Sequence, residues 1–234
     1  MTRLVQFTPG EYFHIYNRGT NKMEIFADKR DYDRFQKLLY ATNSKETIKF
    51  SDMETGKSPS RAWTFDRGET LVDIGSYKLM PNHFHILIRS KSEKDTSAFL
   101  HRLLTSHSRY FNTKYERTGS LFQGKSKSEH VKGDKYLRYL FTYIHLNIIK
   151  LLQNDWKEVG LKNPHQVKEY LKNYKYSSFL DYSGVERPEG KIVNKEAFPG
   201  YFHTPELFEK EIESFLSYGK DDASKQVQAG LGQK

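Results

Sequence analysis

Two histidines lie two residues apart in an apolar segment, residues 79–88, that is rich in strand-forming residues. Because successive side chains of a strand point to opposite faces, His83 and His85 share one face of such a strand. Neutral imidazole nitrogens are common ligands of divalent metals, so this pair needs only one or two further donors to hold an ion. The spacing also fits two packed strand histidines. The alternate side chains are apolar and predict the core face: Phe84, Ile86 and Ile88.

A second polar stripe occurs on a predicted helix that spans about residues 135–152. Tyr139, Tyr143 and Asn147 are four residues apart, so they lie along one stripe beside the apolar face of that helix. A tyrosine hydroxyl, with a pKa of about 10, is a weak nucleophile, but a metal that polarises a phosphate makes its attack feasible. The amide oxygen of Asn147 is a candidate third ligand beside two imidazoles. The same spacing also fits an ordinary helix edge with snorkelling tyrosines.

The charge of the chain favours a polyanionic partner. Lys and Arg number 38 against 29 Asp and Glu in 234 residues, which gives a net charge of +9. Residues 109–117 and 123–127 interleave cations, aromatics and small polar groups, a mixture that can bind phosphates and stack on bases. A solvated basic loop is the simpler interpretation of these two segments.

Composition predicts a folded protein inside the cell. Aromatic residues make up 15% of the chain and there are no cysteines, which excludes disulfides, thiolate metal sites and cysteine nucleophiles. No apolar run reaches the length of a membrane span, and residues 1–6 lack the apolar block of a signal peptide. We therefore expect a cytoplasmic protein with no membrane partner.

Strand and helix patterns alternate along the chain. They cover residues 12–18 (strand), a helix after Asp28, 71–79 and 83–88 (strands), 96–114 (helix), an extended piece within 119–131, and 135–152 (helix). This alternation predicts an α+β fold with a mostly antiparallel sheet and packed helices. The polar residues of about 42–70 predict an irregular insertion, and the sequence from 217 onward predicts a mobile tail.

Four sequence blocks occur in the order found in the IS200-like single-tyrosine transposases, and the chain most resembles the REP-associated tyrosine transposases among them. The blocks are residues 14–19, 79–87, 119–125 and 143–147, and a fifth, 174–179, resembles the aromatic-Ser-Ser segment of that group. The resemblance covers about residues 10–184. We therefore expect a catalytic domain over residues 1–184 and an extension over 185–234.

The resemblance implies a ferredoxin-like fold of the HUH nuclease type. It implies that His83 and His85 bind Mg²⁺ or Mn²⁺, that Tyr143 is the nucleophile, and that Asn147 is the third metal ligand. The implied activity is a metal-dependent single-stranded DNA endonuclease and strand transferase, a transposase that forms a 5′-phosphotyrosine at hairpin or repeat ends. The expected DNA-binding residues are Arg18, Arg109, Lys125 and Lys127.

Two other functions fit the same residues. One is a replication or plasmid-transfer initiator that nicks an origin by the same chemistry, and the other is a domesticated hairpin-binding regulator. The retained histidine pair and Tyr143 argue against the regulator. A monomer and a homodimer are both compatible with the sequence.

The chain departs from the family pattern after the tyrosine helix. The family usually has Asn-Pro where this chain has Asn147-Ile148, which predicts that the helix continues past Asn147. His145, beside the nucleophile, is a candidate proton relay, although its position around the helix favours the side away from Tyr143. His107 lies on the apolar stripe of its helix and is expected to be packed.

Overall fold

The centre of the fold is an antiparallel sheet of four strands. The computed structural model describes residues 5–46 and 61–218. The strands are Tyr12–Arg18 (β1), Val72–Met80 (β2), His83–Ser90 (β3) and Lys127–His130 (β4). They are ordered β2-β3-β1-β4, and every neighbouring pair is antiparallel. The two central strands, β3 and β1, therefore come from distant parts of the sequence.

Helices cover both faces of this sheet. They are Lys29–Ala41 (α1), Arg61–Thr64 (α2), Glu93–Lys114 (α3), Asp134–Leu146 (α4), Trp156–Val159 (α5), Pro164–Asn173 (α6), Phe179–Tyr182 (α7) and Pro205–Tyr218 (α8). The order β1-α1-β2-β3-α3-β4 with this strand arrangement is the ferredoxin-like split βαβ unit. The predicted α+β fold class is confirmed. Within the described ranges, no helix has the length and apolar character needed to span a bilayer.

Local capping signals place the first two long helices. Asp28 and Asp31 form a capping box at the start of α1, as the N-cap pattern predicts. Helix α3 begins at Glu93, three residues before the predicted start, because the side chain of Ser92 accepts a hydrogen bond from the backbone of Asp95. The Asp31 carboxylate also accepts bonds from α3, among them one from Lys114 at 2.6 Å, and so links α1 to α3.

Both faces of the sheet are buried, whereas the sequence pattern predicts one core face. Phe84, Ile86 and Ile88 pack under α1 and α3 as expected. Leu87, on the histidine side, is also fully buried because α4 covers that face. The inward stripe predicted for α4 is confirmed: Leu137, Leu140, Phe141, Ile144 and Ile148 are buried.

The described part of the polar insertion contains a short ordered element. Helix α2 carries Trp63, which is buried and packs against Tyr40 with ring centroids 5.6 Å apart. Lys191 donates a hydrogen bond to the carbonyl of Trp63 at 2.7 Å. The rest of the predicted insertion, residues 47–60, and residues 219–234 of the predicted tail lie outside the described residues, whereas residues 217 and 218, where the sequence predicts that tail to begin, belong to α8.

Residues beyond 185 pack onto the sheet and onto α4. Phe202 stacks on Phe141 of α4, with ring centroids 3.7 Å apart and an angle of 9° between the rings. Phe198 covers Gly75, which is the extra residue of a β-bulge in β2. The hydroxyl of Tyr182 donates to the carbonyl of Gly75 at 2.6 Å. The bulge is therefore the point where the extension meets the sheet.

The close approach of Phe198 to Gly75 predicts the effect of adding a methyl group there. A Cβ at Gly75 would lie 2.5 Å from the Phe198 ring, so Gly75→Ala should lower the free energy of unfolding by about 1–3 kcal/mol through overpacking. Gly190→Ala is the matched control, since its new Cβ would meet only Asp181 Oδ1 at 3.5 Å. Urea titration measures both. If Gly75→Ala lowered the free energy of unfolding by the same amount in a Phe198→Leu background, the Phe198 ring would not be the cause.

Candidate functional site

A cavity of about 620 Å³ opens between the histidine face of the sheet and the C-terminal end of α4. The four residues predicted to do chemistry, His83, His85, Tyr143 and Asn147, all line it. The remaining lining is mainly polar and basic: Tyr16, Asn17, Arg18, Met80, Gln123, Lys127, Lys150 and Asn154. The sheet and α4 thus bring together two motifs that the sequence separates.

The two histidines present neutral rings to this cavity. Nδ1 of His83 lies 2.6 Å from Oδ1 of Asn82, and Nδ1 of His85 lies 2.8 Å from Nε2 of His14. Burial lowers the pKa of His83 to about 4, and nearby Lys78 and Arg18 add to the effect. Burial also lowers the pKa of His85 well below its ordinary value. Both rings are therefore uncharged at neutral pH, with Nε2 left for a ligand.

Asn147 lies where α4 changes its geometry. The α-helix ends at Leu146 and the chain continues as a 3-10 turn over Asn147–Leu151, so the helical path runs on but with tighter winding. The side-chain oxygen of Asn147 is buried and has no hydrogen-bond partner among the described residues. Leaving such a group unpaired costs about 1–3 kcal/mol, which makes it a place for a ligand.

The donor set fits a small divalent cation. Across residues 5–46 and 61–218, no three His, Cys, Asp or Glu side chains form a metal-binding group. Two neutral imidazoles on one strand and an unpaired buried amide oxygen nevertheless supply nitrogen and oxygen ligands of the kind that Mg²⁺ or Mn²⁺ accepts. The buried, unpaired oxygen of Asn147 is the observation that favours this fit.

Tyr143 lies between the histidines and a lysine that the sequence analysis missed. Its ring is nearly perpendicular to that of His85, with centroids 6.3 Å apart. Nζ of Lys157, from α5, lies 4.3 Å from the centre of the Tyr143 ring. Burial raises the pKa of Tyr143 and, together with the charge of Lys150, lowers the pKa of Lys157 to about 8. No spacing pattern connects Lys157 to Tyr143, because α4 ends at Leu146 and Lys157 lies on a separate helix.

The neighbouring tyrosines of α4 do not reach the main cavity. Tyr139 stacks beside Tyr143 with centroids 6.0 Å apart, and its buried hydroxyl has no partner among the described residues. Tyr136 and Tyr139 line a separate, smaller cavity of about 80 Å³, and Tyr143 borders both cavities. Of the three tyrosines on this stripe, Tyr143 alone faces the histidine pair across the larger cavity.

Two further histidines are structural, as their helical positions indicate. His145 is fully buried, and its ring nitrogens lie 2.9 Å from the carbonyl of Phe141 and 2.8 Å from Oγ of Ser178. His107 is fully buried and bonds to the carbonyl of Ile25 at 2.8 Å. Since both nitrogens of His145 are used away from the cavity, it is not placed to relay a proton from Tyr143.

The predicted DNA-binding residues divide between two sides of the molecule. Arg18 and Lys127 line the cavity, and Lys125 is exposed on the loop that leads to β4. Arg109 is exposed on α3, which packs on the opposite face of the sheet, so the structure does not bring it to the cavity. Lys150 lines the cavity and was missed, although it lies only three residues after Asn147.

A buried lysine also lies beside the histidine pair. Lys78 is opposite His85 in the β2–β3 register and is fully buried, and its Nζ has no hydrogen-bond partner among the described residues. Burial lowers its pKa well below the ordinary value, and the charges of Lys150 and Lys157 act in the same direction. The sequence shows it only as the polar residue of an apolar strand.

Comparison with known proteins finds a family model that matches part of the chain. Residues 68–147, which include β2, β3, α3, β4 and α4, match the family model described as IS200-like transposase. The chain is similar to a solved structure of a REP-associated tyrosine transposase bound to a REP hairpin, at 12% identity and a TM-score of 0.48, over 85% of this chain and 98% of that one. No curated protein is significantly similar in sequence. The matched segment contains His83, His85, Tyr143 and Asn147, so the part of the chain that carries the candidate site is similar to the IS200-like transposases.

Proposed function

We propose that this protein is a transposase, a metal-dependent single-stranded DNA endonuclease and strand transferase that acts through a 5′-phosphotyrosine. The observation that carries the proposal is the single cavity shared by His83, His85, Asn147 and Tyr143. Hairpin-containing DNA is the substrate class that the family resemblance implies. The regulator and the initiator are the alternatives, and the adduct experiment below separates the regulator from an enzyme.

His83, His85 and Asn147 are the residues that would hold the cation. When bound, Mg²⁺ or Mn²⁺ would neutralise the oxygens of the scissile phosphate and make the phosphorus a better electrophile. The protein's part is to keep both imidazoles neutral, which burial does, and to offer the unpaired amide oxygen of Asn147. A cation held by these groups would lie in the same cavity as Tyr143 and would orient the scissile phosphate there.

Tyr143 supplies the nucleophile. Its oxygen attacks the phosphorus in line, the bond from phosphorus to the 3′-oxygen breaks, and the DNA leaves with a free 3′-hydroxyl while its 5′-phosphate stays on the tyrosine. The raised pKa of Tyr143 means that its hydroxyl is protonated before the reaction and loses its proton as the bond forms. The leaving 3′-oxygen takes up one proton, through water in the cavity, so the transfer releases no net proton. The positive charge of Lys157 against the ring favours the developing phenolate.

The covalent linkage conserves the energy of the broken bond. A phosphotyrosine diester is about as reactive as the DNA diester that it replaces, so a second 3′-hydroxyl can attack it and form a new DNA bond without a nucleotide cofactor. Arg18, Lys127 and Lys150 line the same cavity and would hold the flanking phosphates.

Removal of one oxygen tests the nucleophile. Tyr143→Phe should keep folding and DNA affinity but reduce covalent capture of a single-stranded hairpin pool with Mn²⁺ by at least about 1,000-fold, because the attacking atom is gone. Tyr139→Phe is the matched control and should form adduct normally. Denaturing gel electrophoresis measures adduct formation.

The linkage itself can be read by mass spectrometry of the digested adduct. A nucleotide on the peptide that contains Tyr143, joined through a 5′-phosphate, supports the mechanism. A nucleotide on any other peptide, or a 3′-phosphate linkage, would contradict it. Tight hairpin binding without any adduct in the wild-type protein would favour the regulator.

Loss of the three proposed ligands should reduce cleavage to different extents. His83→Ala and His85→Ala should show no cleavage at any Mn²⁺ concentration, since one imidazole and one amide do not hold a labile ion in position. Asn147→Ala should lower Mn²⁺ affinity by about 10- to 100-fold and recover part of its cleavage in excess Mn²⁺. His101→Ala, at an exposed position on α3, is the control. Normal cleavage by Asn147→Ala in limiting Mg²⁺ would show that the third ligand is another residue.

The cavity cations should govern the salt dependence of DNA binding. Each phosphate contact contributes about 0.7 to the slope of log affinity against log salt for single strands, so the Lys127→Ala, Lys150→Ala double variant should flatten the slope by about 1.4. Arg109→Ala, on the other face of the sheet, should leave it unchanged. Fluorescence anisotropy in a salt series measures both slopes. The reverse pattern would place the DNA on the α3 side.

A further inference from the structure

A row of polar side chains crosses three strands of the sheet and ends on His85. Glu129 lies on β4, His14 on β1 and His85 on β3, all on the face that α4 covers. Nε2 of His14 is 2.8 Å from Nδ1 of His85, and Nδ1 of His14 is 3.9 Å from Oε2 of Glu129. The proposed mechanism uses His85 and leaves His14 and Glu129 without a role.

The bond between the two histidines is directional. Their ring planes differ by 16° and their centroids are 5.0 Å apart, which, with the short nitrogen distance, indicates rings joined edge to edge. His14 is 5% exposed, so water does not compete for this contact. The pair is therefore a fixed hydrogen bond between a donor and an acceptor, and which ring donates depends on the third residue.

The charge of Glu129 favours one direction. Oε2 of Glu129 lies 3.9 Å from Nδ1 of His14, beyond hydrogen-bond distance, but an ionised carboxylate only accepts hydrogen bonds and its negative charge favours a proton on the nitrogen that faces it. That contact lowers the pKa of Glu129, which keeps the carboxylate charged. Nε2 of His14 is then the acceptor, and His85 must carry its own proton on Nδ1. The lone pair of His85 Nε2 is left for a metal.

We propose that His14 and Glu129 are positioning residues that hold His85 as its Nδ1-protonated tautomer and so set the affinity of the site for a divalent cation. The inference rests on the metal site of the proposed function. His83 has a comparable partner for its Nδ1 proton in Oδ1 of its neighbour Asn82. The amide nitrogen of Asn82 in turn donates to the carbonyl of Lys22 at 3.2 Å. Loss of such outer partners lowers metal affinity by about 10- to 100-fold in other sites.

The first experiment measures the tautomer without any metal. Nitrogen-15 imidazole NMR of the metal-free full chain should show His85 with its proton on Nδ1. His14→Phe keeps an aromatic ring but removes the acceptor, so the Nδ1-protonated form should no longer predominate. A wild-type His85 protonated on Nε2 would overturn the proposal regardless of whether the protein cleaves DNA.

The second experiment measures Mn²⁺ binding by electron paramagnetic resonance of the free ion. His14→Phe and Glu129→Gln should each weaken binding by about 10-fold or more. Glu129→Gln should weaken binding because it replaces the oxygen that faces His14 with an amide nitrogen. The Tyr16 hydroxyl donates to Oε1 at 2.6 Å, so the oxygen of the new side chain stays with Tyr16 and the amide nitrogen faces His14. His14→Gln, which returns an acceptor oxygen, should recover part of the affinity.

A matched histidine–glutamate pair provides the control. His130, next to Glu129 on β4, bonds through Nε2 to Oε2 of Glu11 at 2.9 Å, and His130→Gln should leave Mn²⁺ affinity unchanged. If wild type, His14→Phe and Glu129→Gln bound Mn²⁺ with equal affinity, the proposal would be overturned but the metal site itself would be supported. Glu129 is partly exposed, so its variant decides the question if His14→Phe does not fold. A wild type that binds no Mn²⁺ overturns the metal site and the role of the positioning residues together.

Discussion

The packing of α4 against the second face of the sheet is the contact on which the site depends. The apolar stripe of the helix meets Leu87 and the β2 strand, and the stacked Phe202 covers its outer side. This packing fixes the rotation of α4, so the stripe that carries Tyr143 and Asn147 faces the histidines and the apolar stripe does not. A small rotation would separate Tyr143 and Asn147 from the two histidines, because the first two lie on the helical segment and the histidines on β3.

The face that α4 covers is unusually polar for a buried surface. His14, His85 and Lys78 point into it, and burial lowers the pKa of all three. Buried polar groups without partners cost stability, and unsatisfied atoms of this kind cluster where a protein binds a ligand. Lys78 Nζ and Asn147 Oδ1 both lack partners among the described residues. These two unpaired groups therefore cost stability in this part of the fold.

The electrostatic field of the cavity has one sign. Arg18, Lys127 and Lys150 line it, and Nζ of Lys157 lies against the ring of Tyr143. Burial is the main cause of the lowered pKa of His83, and the charges of Arg18 and Lys150, together with that of Lys78, lower it further. Such a field favours a phosphate and the phenolate that forms when a phosphodiester is transferred to tyrosine.

Periodicity in the sequence determined the features that depend on near neighbours. It predicted β1, the Asp28 cap and the inward stripe of α4. It also placed His83 with His85, and Tyr143 with Asn147, because spacings of two residues in a strand and four in a helix put both side chains on one face. Only the tertiary structure decided which faces meet. The strand order sets β3 beside β1, which joins His14 to His85 across 71 positions, and it places α3, with Arg109, on the far side. Those contacts arise from packing of distant segments, and no local pattern encodes them.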